Sequence, residues 1–352
     1  MRMTSMLLPL LMLFSLYGCN QAESTVRLHG KTMGTTWSLT ISNPPAEIHS
    51  RQLQQQIESL LENINSLMST WRADTEISRF NTTTSTEWFG VSPQTHSLLQ
   101  AAATIHKLSG GAFDPTVSPL VELWGFGHSF PEQGLPDAAR IIATLQHTGL
   151  EKLLLDDSAK RVRKTIPQLQ LDLSAIAKGY AVDEVARLMS AQGIQDYLVE
   201  IGGEIRAAGK NPGGETWRVA IEYPHSDKLR SAAAILRITD AAIATSGDYR
   251  NFVEVDGRHY SHIIDPLTGR PVTHNPASVT VIAADCLSAD AWATAFTVIG
   301  ASKGVELADS LQMAVMFIHK DGDTFTTTSS SKMMKYLINT SLQPGVSASD
   351  TD

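Results

Sequence analysis

The chain has 352 residues, of which 28 are basic and 36 acidic, for a net charge of −8 at pH 7 with neutral histidines. An acidic chain without a Lys/Arg cluster is a poor nucleic-acid binder, because that binding draws on positive surface. Two cysteines, Cys19 and Cys286, exclude a disulfide-rich scaffold, so the fold must rest on its apolar core, and the chain is long enough for one large domain or two lobes.

The first segment, Met1 to Gly18, carries one positive charge, Arg2, then an apolar stretch from Met6 to Phe14, then Leu16-Tyr17-Gly18-Cys19. That stretch is too short to span a bilayer and has the length of a signal-peptide core. Small residues directly before a cysteine look like a bacterial lipobox, which implies cleavage before Cys19 and lipid on its sulfur and new amino group. Residues 1–18 are therefore expected as a lipoprotein signal and 19–28 as a lipidated cysteine with a polar tether. The rest is expected as a soluble body anchored by lipid, facing the periplasm, with inner or outer membrane left open. Asn20 after the cysteine offers no inner-membrane retention signal, and no second apolar run reaches transmembrane length.

Leu39 to Ile41 closes a first strand, and Arg51 to Met68 is an amphipathic helix with Leu53, Ile57, Leu60, Ile64 and Leu67 on one face. A second helix, Leu98 to Leu108, is stopped by Gly110-Gly111, and a third runs from Asp137 to His147. Short strands follow at Lys152–Leu155, Arg161–Lys164 and Leu169–Leu173, then a helix from Ala175 to Gln192. Beyond it the pattern changes to strands with turn punctuation. Tyr197–Ile201, Glu204–Ala208 and Trp217–Tyr223 are divided by Gly202-Gly203 and Asn211-Pro212-Gly213-Gly214. Further strands are expected at Ala234–Ile238, Phe252–Val255, His259–Ile264, Ser278–Ala283, Met313–His319 and Thr324–Thr327, and a disordered tail over 341–352. Helices mixed with antiparallel-looking strands predict an α+β fold of largely antiparallel sheets flanked by helices, one domain of two lobes over 29–340.

Several segments are over-specified for packing alone. His29 to Trp37 is a Gly/Thr-rich entry to the first strand. Met68 to Asn81 puts Trp71 in a polar loop, where a large aromatic either caps the core or stacks on a flat ligand. Gly110 to Val117 joins a glycine pair to Asp114, and Asp172 to Ala181 joins a strand to a helix start whose free amides, with Lys178, suit a phosphate. His262 precedes the turn Asp265-Pro266 on a strand; a lone strand histidine is ordinarily structural, yet its ordinary pKa also suits a general base. A Ser/His/Asp triad is not supported, since no nucleophile elbow is present.

The segment Ser288 to Ile299 is small or apolar nearly all round and reads as a buried helix. Asp290 and Thr294 stack on one face at i, i+4. Two readings fit. Ser288 caps the helix, Asp290 favours its first turn and Thr294 bonds back to a carbonyl. Alternatively, two hard oxygen donors hold Mg²⁺ beside a substrate phosphate.

Taken together, Lys31 to Thr36, Asp74 to Asn81, Gly111 to Val117, Asp172 to Ala181, Thr245 to Tyr249, His262 to Gly269 and Ala289 to Thr294 resemble, in this order, the FAD:protein FMN transferases, the ApbE lipoproteins. The resemblance spans about His29 to Tyr336. It implies that Met33, Trp71, Ala112, Phe113, Asp114, Asp172, Lys178 and Ile264 contact FAD as substrate. It further implies that Asp290, Thr294 and the carbonyl of Ala175 hold Mg²⁺, and that His262 serves the transfer step. A tyrosine is usual where Trp71 stands, and glutamate is frequent where Lys178 stands.

The implied activity is Mg²⁺-dependent transfer of FMN from FAD to a Ser or Thr hydroxyl of an acceptor protein, with release of AMP. The family's acceptors are flavin-bearing subunits of membrane redox pumps, which suits an enzyme tethered to a membrane through an N-terminal lipid. Two alternatives share the same segments: an FAD pyrophosphatase, with water in place of the hydroxyl, and a non-enzymatic flavin-binding lipoprotein.

Overall fold

A computed structural model describes residues 25–127, 134–224, 231–247, 252–255, 258–273, 276–322 and 324–338. The signal segment, Cys19, the tail 341–352 and the pair Asp248-Tyr249 lie outside the described residues.

The chain opens with a hairpin, β1 (Thr25–Thr32) and β2 (Thr35–Ser42), then α1 (Ser50–Met68), α2 (Glu76–Thr82), β3 (Phe89–Gly90), α3 (Pro93–Leu108), α4 (Ser118–Leu123) and α5 (Ala138–Leu145). A second hairpin, β4 (Leu153–Asp156) and β5 (Arg161–Lys164), leads to the long α6 (Ser174–Ala191). Strands β6 (Tyr197–Ile201), β7 (Glu204–Ala208), β8 (Trp217–Glu222), β9 (Ala232–Ile238) and β10 (Ala241–Gly247) follow. Then come β11 (Phe252–Val255), β12 (Arg258–Ser261), β13 (Ile264–Asp265), β14 (Arg270–Pro271) and β15 (Pro276–Ala283). The last elements are α7 (Cys286–Ile299), α8 (Ala301–Ser310), β16 (Ala314–Asp321) and β17 (Thr324–Ser329).

Eight strands form one sheet in the order β1-β2-β6-β7-β10-β15-β16-β17, every neighbouring pair antiparallel. In the central strands both faces are buried, and the period-2 alternation divides their side chains between two cores. Ala242, Ala244, Val279, Val281, Val315 and Phe317 face the layer of α1, α6 and α7. Ala241, Ile243, Ile282, Met316 and Ile318 face the β8–β9 hairpin, where Trp217, Leu236 and Ile238 close the opposite side. The expected α+β class with antiparallel sheets and flanking helices is the observed one.

Several elements differ from expectation for identifiable reasons. Thr25 to Leu28, expected as tether, belong to β1 and pair with Leu39 to Ser42. On α1 the fully buried line is Leu53, Ile57, Leu61, Ile64 and Met68, with Leu60 and Leu67 half-buried beside it. No strand forms at 169–173, although Leu169, Leu171 and Leu173 all point inward. The backbone there is satisfied by side chains: Asn81 both donates to the Leu171 carbonyl and accepts from its amide, each at 2.8 Å, and Lys164 Nζ donates to the Leu169 carbonyl at 3.1 Å. Without a neighbouring strand the segment stays extended and unladdered. The alanine-rich β10 carries little strand propensity and was not expected from its sequence, nor were α2, α4 and α8. The α7 N-cap is Asp285, which accepts the Ser288 amide at 2.8 Å, so Ser288 lies inside the helix.

Helices α6 and α7 cross in close contact, and a buried carboxylate pins the crossing. Asp183 of α6 accepts the amides of Cys286 (3.0 Å) and Leu287 (2.9 Å), two first-turn donors of α7 that have no partner inside their own helix. Its charge is balanced by Arg206 of β7. Asp183→Ala would leave two amides and a half-buried guanidinium unpaired, and should lower stability by about 3 kcal/mol or more. Thermal unfolding would read this directly; a variant melting with the wild type would remove the cap from the account of the fold.

Candidate active site

The start of α6 gathers several of the expected site residues. Asp172 Oδ1 accepts the Ser174 amide at 2.8 Å, holding the first turn, while its own amide donates to the Pro115 carbonyl at 2.7 Å. The loop 111–117 is thereby tied to the helix. At its start Gly110 and Gly111 take φ of 65° and 88°, and the Gly111 amide returns to the His106 carbonyl, ending α3 as its sequence predicts.

Asp114 is buried beside Ala112 and Phe113. Its Oδ1 accepts from the Thr116 amide at 2.8 Å and hydroxyl at 2.6 Å, and its Oδ2 lies 3.7 Å from His106 Nδ1. Burial raises the Asp114 pKa above its ordinary value, opposed by the Thr116 bonds and by His106.

Two turns further in, α6, α7 and β7 meet in a charged corner. Asp290 is buried, and its Oδ2 accepts the Gly179 amide at 2.9 Å. In a regular helix that amide would serve the carbonyl of Ala175 four residues back, so Asp290 competes for the partner of the carbonyl named above as a metal ligand. Gly179 is required at the crossing, since a β-carbon there would overlap the Cys286 carbonyl. Thr294 follows Asp290 by one turn, half-buried, on the same face. The bond back to a carbonyl expected under its structural reading is made instead by Thr297, to Ala293 at 2.8 Å.

Lys178 Nζ lies 2.5 Å from Glu204 Oε1. The other carboxylate oxygen of Glu204 is buried and has no hydrogen-bond partner. Burial pushes the Asp290 and Glu204 carboxyls upward in pKa, while the two carboxylates hold Lys178 protonated. With both acids ionised, one lysine faces two buried negative charges, an arrangement a bound cation would relieve. Among the described residues no three His, Cys, Asp or Glu side chains converge as a metal site. A cation here would use the mixed set of Asp290 carboxylate, Thr294 hydroxyl and Ala175 carbonyl, all hard oxygens of the kind Mg²⁺ takes.

His262 does not lie on a strand. It sits in a bend between β12 and β13, its ring edge-on to Phe126 with centroids 6.5 Å apart. Ile264 belongs to a small core with Leu120, Trp124 and Ile141, and Trp124 Nε1 donates to the Gly269 carbonyl at 2.8 Å. The turn after β13 returns to the 111–117 loop: a β-carbon built on Gly111 would lie 3.4 Å from Leu267 Cδ2.

Met33 occupies the β1–β2 turn at φ 48° and packs on the main core. Thr36 of the same hairpin accepts the Gly202 amide at 3.0 Å, bringing the turn alongside the β6–β7 turn. Trp71 is 68 % exposed, so it does not cap the core. Ala112, Phe113, Asp114, Asp172 and Ile264 thus gather around one loop, and Ala175, Lys178, Asp290 and Thr294 around one helix crossing.

The sequence reading missed Glu204. Its signal was a pair of charges, Glu204 and Arg206, two apart in an otherwise apolar strand: both face α6, where they meet Lys178 and Asp183.

Comparison with known proteins bears on this arrangement. Residues 33–317 match the ApbE family. An FAD:protein FMN transferase of Vibrio cholerae is 45 % identical over 335 residues, covering 95 % of this chain and 99 % of its own. One from Escherichia coli is 39 % identical, covering 92 % and 94 %. The solved flavin transferase ApbE from Vibrio cholerae superposes with a TM-score of 0.82 at 44 % identity, over 90 % of this chain and all of the other. The ApbE protein of Thermotoga maritima reaches 0.79 at 30 % identity, over 89 % and 99 %. Matched along almost its whole described length in sequence and in fold, the chain belongs to the ApbE family.

Proposed function

We propose that the protein transfers the FMN half of FAD to a Ser or Thr hydroxyl of an acceptor protein and releases AMP, with Mg²⁺ held by Asp290, Thr294 and the Ala175 carbonyl. The name shared by its relatives, FAD:protein FMN transferase, supports the reaction class. The observation that carries the site is the buried Asp290 carboxylate, fixed by the Gly179 amide at the start of α6. When bound, Mg²⁺ would neutralise charge on the phosphate oxygens.

The chain's own groups supply the rest. The start of α6 directs backbone amides and a positive dipole end toward a phosphate. Lys178 stays charged beside it. Trp71 and Met33 offer apolar surface to a flat ring, and Ala112 to Asp114 with Ile264 line the neighbouring loop. The acceptor oxygen bonds to the FMN phosphorus as the bond from that phosphorus to the bridging pyrophosphate oxygen breaks, AMP leaves carrying the bridging oxygen, and the hydroxyl proton passes to His262. We propose further that Cys19 is lipidated, which would hold the enzyme near membrane-bound acceptors; no helix among the described residues is long and apolar enough to cross a membrane.

The test mixes protein beginning at Asn20 with FAD and a periplasmic acceptor domain, with and without Mg²⁺. Intact-mass spectrometry follows the acceptor and chromatography follows AMP. A flavin-sized mass gain that requires Mg²⁺ is expected; AMP formed equally without acceptor, and no mass gain, would make the protein an FAD pyrophosphatase. Asp290→Ala should abolish Mg²⁺-dependent transfer, and transfer that keeps its magnesium dependence would refute the ligand assignment. For His262→Ala, FAD binding should persist while transfer falls by about 10²–10⁴-fold, the usual contribution of a general base. Transfer at the wild-type rate would remove this histidine from the reaction.

A further inference from the structure

We infer that Glu204 is a positioning residue that holds Lys178 away from Asp290, so that the Asp290 carboxylate stays available to a cation. The inference rests on the magnesium reading above and concerns why that site accepts a dication although a lysine stands beside it.

Lys178 has two buried acids within electrostatic reach, Glu204 on β7 and Asp290 on α7. It pairs with only one. Its ammonium is 2.5 Å from Glu204 Oε1, whereas Asp290 takes the Gly179 amide. The path of the side chain is set by the β6–β7 turn. Gly202 there has φ of 62°, and a β-carbon on it would lie 3.3 Å from Lys178 Cδ. The missing side chain leaves the space through which the lysine stem runs to Glu204.

Glu204 is fixed in turn. Its side chain is 3 % exposed, it starts a strand paired on both sides, and its second oxygen makes no hydrogen bond. A carboxylate kept in that state for stability alone would be a poor choice, because a half-satisfied buried acid is costly. An ammonium and a dication compete for the same oxygens. A lysine released from Glu204 would find its nearest alternative partner in Asp290 and would occupy the cation's place.

The test is a calorimetric titration of the protein with Mg²⁺ in the absence of FAD, so that the readout is binding and not turnover. Glu204→Met, which cannot hold an ammonium, should weaken Mg²⁺ binding at least tenfold. Lys178→Met/Glu204→Met should restore it to within about threefold of the wild type, and Lys178→Met alone should bind as tightly as the wild type or more tightly. Unchanged affinity in Glu204→Met would overturn the inference. So would a double variant as weak as the single one, since Glu204 would then act on the site without the lysine. Weaker binding in Lys178→Met would also overturn it, and that variant keeps the test open if Glu204→Met fails to fold. Absence of Mg²⁺ binding by the wild-type protein would instead remove the magnesium reading itself, and the inference with it.

Discussion

The crossing of α6 over α7 is the contact on which the rest of the structure depends. It is close enough to exclude a β-carbon at Gly179, and two carboxylates cross it in opposite directions. Asp183 reaches from α6 to the first amides of α7, and Asp290 reaches from α7 to the Gly179 amide of α6. Each bond pairs an acid with a backbone donor of the other helix. Their joint effect is to fix both the spacing and the sliding register of the two helices, which a contact among small apolar residues would leave loose. Glycine, alanine and two acids in buried positions are individually poor choices for stability, and together they specify one geometry.

The sheet supports that crossing from below. The central strand β10 contributes Ala242 and Ala244 to the helical side, and their small side chains let α7 lie close to the strands. Neighbouring β7 does the opposite and sends two charges upward, Glu204 to Lys178 and Arg206 to Asp183. Both pairs connect the same helix to the same strand, five residues apart on one and two apart on the other. Buried ion pairs offer little net stability, because desolvation offsets attraction, but mispairing them is expensive. A register shift of α6 along β7 would separate both pairs at once. The ladder therefore acts on specificity of the arrangement more than on its depth.

Much of the fold was legible because periodicity and turn chemistry agree in the long elements. The spacing of Leu53, Ile57 and Ile64, the glycine pair after α3 and the Gly202-Gly203 turn each name a local structure with a physical cause. What escaped was decided by distant partners. Leu169 to Leu173 has the alternation of a strand, yet Asn81 and Lys164 occupy its backbone groups, so no ladder forms. The alanines of β10 look helical until the need for a thin strand beneath α7 is known. At the site, the acid and hydroxyl on α7 stood out as polar groups on an apolar helix. Glu204 did not, because a charge at a strand's end is unremarkable until the partner helix is seen to cover it.

The bend that carries His262 and the charged corner around Asp290 rest on different parts of the fold. The charged corner lies on α6, α7 and β7, with Asp290 held by the Gly179 amide and Glu204 by Lys178. His262 and Leu267 instead belong to the turns around β13, which rest on a small cluster whose fully buried members are Leu120, Trp124, Ile141 and Ile264. Local stability follows buried apolar contact, and among the described residues this cluster is much smaller than the core that holds the α6–α7 crossing. Under the proposed transfer, an acceptor protein would bring a hydroxyl in beside a bound dinucleotide and leave carrying the flavin, so the acceptor side would give while the phosphate side stays fixed. On the proposed reading the two cores would divide the work in that sense. The bond from Trp124 to the Gly269 carbonyl and the contact of Leu267 over Gly111 are what couple the yielding part to the loop that carries Asp114.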